Sequence, residues 1–121
     1  MPSIAEVFAT DLQDKFNQQG QANKSQYGSY WLHEFYVEQG KRFDRIVHRS
    51  DIVSDPSEFK PHQRFVFAFV ERETGRLVKP AGWKSPAKWG NDLASKWSLN
   101  ITEQYAEALA QSETSGGFLY K

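Results

Sequence analysis

Residues 64–80 read RFVFAFVERETGRLVKP. Phe65, Phe67 and Phe69 alternate with Val66, Ala68 and Val70, so a strand through this run is apolar on both faces. That pattern predicts a central strand, covered on both sides in an open sheet or rolled into a half-barrel. Glu73-Thr74-Gly75 supplies a tight reversal, with Gly75 free to take a positive φ. Leu77 and Val78 form the return strand. Pro80 has no N–H, so it ends that ladder or places it at an edge.

Upstream, residues 27–38 (YGSYWLHEFYVE) form a second alternating run. Tyr30, Leu32, Glu34 and Tyr36 share one side; Trp31, His33, Phe35 and Val37 share the other. The second side is more apolar and is expected to face the core. Gln39-Gly40 suits a turn, and KRFDRIVHR (41–49) gives another strand of ambiguous facing. Residues 50–63 carry two Pro and many turn formers and read as a loop with room for one helical turn.

The termini read as helices. Ser3 and Glu6 make a capping box, and Ile4, Val7, Phe8, Leu12 and Phe16 follow at helical spacing. This helix is expected to fade near Gly20 into a polar linker. At the other end Asn100 is the expected cap, with Ile101, Tyr105, Ala108 and Leu109 as the apolar stripe. The expected architecture is one α+β domain over 1–121: helix 1–19, linker 20–26, sheet and loops 27–99 with three to five antiparallel strands, helix and tail 100–121.

Composition fits a domain of this kind. The chain has 121 residues, 39% apolar and 15% aromatic, enough large side chains for a core without staples. Cys is absent, which removes disulfides and thiolate metal sites. The N-terminus lacks a basic region before its apolar pattern, and no window is long and apolar enough to span a bilayer. The expected location is the cytoplasm, with no membrane partner. Formal net charge is zero, which argues against a strongly basic nucleic-acid binder.

Charge is nonetheless uneven. Residues 76–97 carry Arg76, Lys79, Lys84, Lys88 and Lys96 against Asp92 alone, and they overlap the irregular run LVKPAGWKSPAKW (77–89). The segment HQRFVFAFVERETGRLVKPAGWKSPAK, with GKRFDRIV (40–47) upstream, resembles small uncharacterised proteins of phages, prophages and environmental samples. The resemblance spans roughly 40–88 and falls on Ala68-Phe69-Val70, on Thr74-Gly75, and on Lys79, Ala81, Trp83, Lys84, Pro86, Ala87 and Lys88. Asp92 follows Trp89-Gly90-Asn91, where such proteins would continue in a more basic or glycine-rich way. The resemblance implies a phage or environmental origin, which would put the chain in a host cytoplasm. It implies no activity.

Candidate sites follow from these patterns. Trp83 and Trp89 have the shape to stack bases while Lys79, Lys84 and Lys88 contact phosphates, or the same five residues form a partner-binding patch. Their competing role is a structural clasp: Trp rings folded onto the sheet with Lys stems draped over them. Tyr30 and Tyr36 offer a second aromatic face for single-stranded nucleic acid. His33, His48 and His62 are dispersed in sequence, and His33 and His48 on adjacent strands are the only metal candidates. No nucleophile elbow or phosphate-binding glycine loop is present. The expected function is a non-enzymatic accessory or protein-interaction protein without a cofactor, binding another protein or itself as a homodimer. Nucleic-acid binding and a histidine metal enzyme stand as the alternatives.

Overall fold

The computed structural model describes residues 2–26, 28–61, 63–78, 80 and 97–112. The elements are α1 (Ile4–Ala22), β1 (Tyr30–Glu38), β2 (Phe43–Val53), a single 3-10 turn (Pro56–Glu58), β3 (Phe65–Glu71), β4 (Leu77–Val78) and α2 (Thr102–Gln111). The strands make one open antiparallel sheet in the order β1-β2-β3-β4, with a helix at each end of the chain. This is the α+β arrangement expected, without closure into a half-barrel.

β3 lies inside the sheet and is buried on both faces, as its sequence requires, but the faces are not the simple alternation. Ile46 pairs with Ala68 and Val47 with Val66, so Phe67 is an extra residue on β3. This bulge puts Phe67 and Ala68 in one core cluster together with Val70, Phe35 and Ile46. Phe69 turns to the opposite face, edge-on to Phe43 and under the Arg45 guanidinium. Phe65 is left 54% exposed.

α1 covers the Phe35 face of β1. Ala5, Phe8, Ala9, Leu12 and Phe16 are all buried, and Phe16 stacks on Phe35. The Ser3–Glu6 capping box forms as read from sequence. The helix does not stop at Gly20 but continues to Ala22. Gly20 is a point of close approach: a Cβ there would collide with the Trp31 carbonyl.

The same helix seals the free edge of β1. Asn17 accepts from the His33 N–H at 2.7 Å and donates to the His33 carbonyl at 3.0 Å, while Gln13 accepts from the Phe35 N–H at 3.0 Å. Two amide side chains thus occupy backbone groups in the middle of an edge that could otherwise recruit another strand.

Two further boundaries differ from the sequence reading. β2 takes in Ser50–Val53 because β1 pairs along its whole length, Tyr30 opposite Val53. Ile101, not Asn100, is the N-cap of α2, with no side-chain cap bond; Asn100 packs over Gly75, whose φ is +73°. Trp97 and Leu99 enter the core beside β4, where Leu77 N–H donates to the Trp97 carbonyl and Leu99 N–H to the Gly75 carbonyl.

α2 docks on α1. Phe8 meets Tyr105 edge-on at 5.2 Å, and the Tyr105 hydroxyl donates to Asp11. Burial and the Asp11 carboxylate raise the Tyr105 pKa, so this phenol stays protonated. Lys15 Nζ donates to the carbonyls of Leu109, Ala110 and Ser112 at 2.6–3.1 Å and so caps the C-terminus of α2 from the neighbouring helix. No helix of the described residues is long and apolar enough to cross a membrane.

Candidate binding groove

α1 leaves part of its sheet face uncovered, and a groove of about 1330 Å³ opens there. Its walls are the second half of α1 and the C-terminus of α2; its floor is Trp31, His33, His48, Ile52 and Phe65 from three strands. Trp31, Ile52 and Phe65 are 53%, 55% and 54% exposed. Cross-strand pairing explains why they meet: Trp31 lies opposite Ile52, and His48 opposite Phe65. Large apolar side chains that stay half in water together on one concave surface are uncommon in a folded chain.

The lining is nearly uncharged. Gln19, Asn23, Ser25, Ser29, Ser50 and Gln111 supply its polar groups, and Lys15 is its one charged side chain among the described residues. The Lys15 ammonium is already committed to α2 carbonyls.

His33 and His48 sit at the base of the groove. His33 Nδ1 lies 3.0 Å from His48 Nε2. The ring centroids are 5.2 Å apart with planes 22° apart. These values place the two nitrogens between the rings, which meet edge to edge as an N–H···N hydrogen bond requires. His48 also lies flat on Phe35, centroids 4.4 Å apart and planes 11° apart, and Phe16 packs on His33. Burial lowers the pKa of both rings; for His48, burial and then the His33 charge bring it down to about 4. At neutral pH the pair is uncharged and shares one bridging proton.

This geometry bears on the metal reading. Two imidazole nitrogens on one tetrahedral zinc, each about 2.0–2.1 Å from it, stand roughly 3.3 Å apart with their lone pairs converging on the metal and not aimed at each other. A gap of 3.0 Å between opposed nitrogens has room for a proton. Among the described residues no set of three His, Asp or Glu gathers as metal ligands.

Residues 3–121 match the family model of DUF7717, a family of unknown function. The chain belongs to DUF7717. No curated protein and no solved structure matches it. The groove, the histidine pair and the helix-sealed edge are therefore features of a DUF7717 chain argued from its own geometry.

The residues singled out in the sequence fall in three places. His33 and His48 of this DUF7717 chain are brought together; His62 lies outside the described residues. Lys79, Trp83, Lys84, Lys88 and Trp89 also lie outside the described residues, as does the tail from residue 113. Tyr30 and Tyr36 fall on the same side of β1 by alternation, Tyr30 also bordering the groove, yet neither offers a bare ring. Tyr30 is buried under Lys24, while Tyr36 lies under the Arg49 guanidinium and its hydroxyl accepts from Arg64 at 3.2 Å. That face carries ion pairs of Glu34 with Arg49 and Glu38 with Arg45, as expected of cross-strand charges.

Sequence reading missed Trp31, Ile52 and Phe65 as a cluster. A signal was there: each is a large apolar residue near the end of its strand, where a single covering helix runs out.

Proposed function

We propose that this chain is a small binding protein whose groove takes the apolar side chains of a partner polypeptide. The observation that carries this reading is the convergence of half-exposed Trp31, Ile52 and Phe65 on an uncharged, concave surface. Aromatic anchors ringed by amide and hydroxyl groups are the makeup of an interface core and rim. A nucleic-acid strand would ask for several Lys or Arg along its path. The groove supplies Lys15, and α2 has engaged it. The resemblance of residues 40–88 to phage and environmental proteins favours an accessory role in that setting, acting by contact and not by catalysis.

Panning a random peptide library on the purified chain tests the reading. Enriched peptides are expected to carry large apolar residues and to lose binding to Trp31→Ser and Phe65→Ser. Both substitutions fall on exposed side chains, so the fold should survive them. Peptides without apolar residues, or tight salt-sensitive binding of a single-stranded oligonucleotide unaffected by Trp31→Ser, would overturn it.

A further inference from the structure

The hydrogen-bond arithmetic of the histidine pair goes further than an apolar groove. Each neutral imidazole carries one N–H. One ring uses it in the bridge, so its outer nitrogen is a bare acceptor; the other ring receives the bridge, so its outer nitrogen holds an N–H. The outer nitrogens are His33 Nε2 and His48 Nδ1. Neither makes a hydrogen bond to a described residue, and neither is sealed from solvent. Both rings line the groove, so the pair brings one donor and one acceptor to it; the two roles exchange only when the outer proton changes rings through solvent as the bridging proton shifts.

One added proton goes to the bare outer nitrogen. The bridge is kept, and both outer nitrogens become donors on a singly charged pair. Only a second proton would set N–H against N–H across 3.0 Å. The fold thus accommodates one positive charge at the groove floor and resists two.

Little else charged faces the pair. β1 and β2 contribute the histidines and Ser50, β3 contributes Phe65 and Phe67, and α2 contributes Gln111 and, just past its end, Ser112. α1 contributes Phe16 and the rim cation Lys15. No carboxylate lines the groove among the described residues. An anion entering here meets no carboxylate among the described residues and one acquirable cation.

We infer that the His33–His48 pair is a carboxylate receptor at the base of the groove, taking up one proton as it binds an apolar ligand that ends in a carboxylate. The inference rests on the proposed binding role of the groove and names what the groove selects. The neutral pair offers a carboxylate one N–H and sets a bare acceptor beside it; the protonated pair replaces that acceptor with a second N–H and adds a positive charge. The apolar part of the ligand packs on Trp31, Ile52 and Phe65. Binding and protonation are thereby linked, and each strengthens the other.

Phenylacetate is the minimal probe, with phenylacetamide as its uncharged twin. NMR titrations at pH 7.5 and 5.5, read on the imidazole C–H signals, give both dissociation constants. An anion beside a cation favours the protonated form by a factor of about ten or more; that factor caps the gain, so phenylacetate is expected to bind several-fold more tightly at pH 5.5 than at pH 7.5. Phenylacetamide should show no such gain. His48→Phe keeps the ring packed on Phe35 and should flatten the phenylacetate pH dependence; His33→Phe serves if that variant does not fold. Equal phenylacetate affinity at both pH values, a parallel gain for phenylacetamide, or no binding overturns the inference, and the wild-type arms alone suffice to do so. Failure of the peptide panning with phenylacetate still bound would remove the polypeptide reading and leave this one. The reverse result would remove this one alone.

Discussion

The depressed pKa of His48 makes a quantitative claim about stability. In the unfolded chain this imidazole titrates at its ordinary 6.5; in the fold it titrates at about 4. A depressed histidine stabilises the fold fully above 6.5, where both states are neutral, and that contribution is lost as pH falls toward the folded value. The unfolded chain gains protons first, so stability must drop on acidification. A pKa difference of one between the two states is worth about 1.4 kcal/mol, so the full span comes to about 3 kcal/mol and the part between pH 6.5 and 5 to about 2 kcal/mol. His48 is only 6% exposed, so solvent screening removes little of this. The window is separable from acid effects elsewhere. Glu6, Asp55 and Glu71 are held below the usual carboxylate range by hydrogen bonds from Ser3, Ser57 and Thr74. Their contributions fade only below ordinary values of 4.5 and 3.8. Urea melts at half-unit pH steps from about 7.5 to about 4.5, on wild type and His48→Phe, measure the effect. The wild type should lose about 2 kcal/mol between pH 6.5 and 5, and the variant distinctly less. A flat wild-type profile, or equal slopes in both proteins, would refute the burial-driven depression and with it the neutral, proton-sharing pair.

Other substitutions test the frame that holds the groove. Gly20→Ala should destabilise by about 1–3 kcal/mol despite the better helix propensity of Ala, because its methyl meets the Trp31 carbonyl; a gain in melting temperature would contradict the close approach. Asn17→Ala removes both side-chain bonds to the His33 backbone and should cost about 1–3 kcal/mol, with concentration-dependent self-association in sedimentation as β1's edge opens. Gly75→Ala should cost about 1 kcal/mol or more in a thermal melt, since φ of +73° disfavours any Cβ and Asn100 lies 2.6 Å from where it would stand. Lys15→Met keeps the apolar stem but uncaps α2, and faster amide exchange at residues 108–112 is the expected readout.

Much of this fold was legible because local chemistry and tertiary demand agree. The Ser3–Glu6 box, the positive-φ turn at Gly75 and the double-apolar run 65–70 are short-range signals, and each acts where the sequence places it. Gly20 misleads because glycine means two things: a helix stop, or a close approach. Only the neighbouring β1 backbone chooses between them. Ser50–Val53 mislead because Ser and Asp are turn formers on their own, yet a nine-residue partner strand recruits them.

The site was less legible than the fold. His33 and His48 stand on adjacent strands by sequence alone, so their meeting was foreseeable; the in-plane hydrogen bond was not, because it depends on diagonal register. The bulge at Phe67 exists only in the β2–β3 pairing. It splits an alternation that looks perfect in one dimension and leaves Phe65 exposed beside His48. Sequence by itself determined which segments are apolar, where the chain turns and that one α+β core forms, since these follow from residue periodicity. Tertiary structure alone decided where α1 stops covering the sheet. Coverage is set by how one helix seated chiefly on β1 meets a wider sheet, and no single segment encodes it.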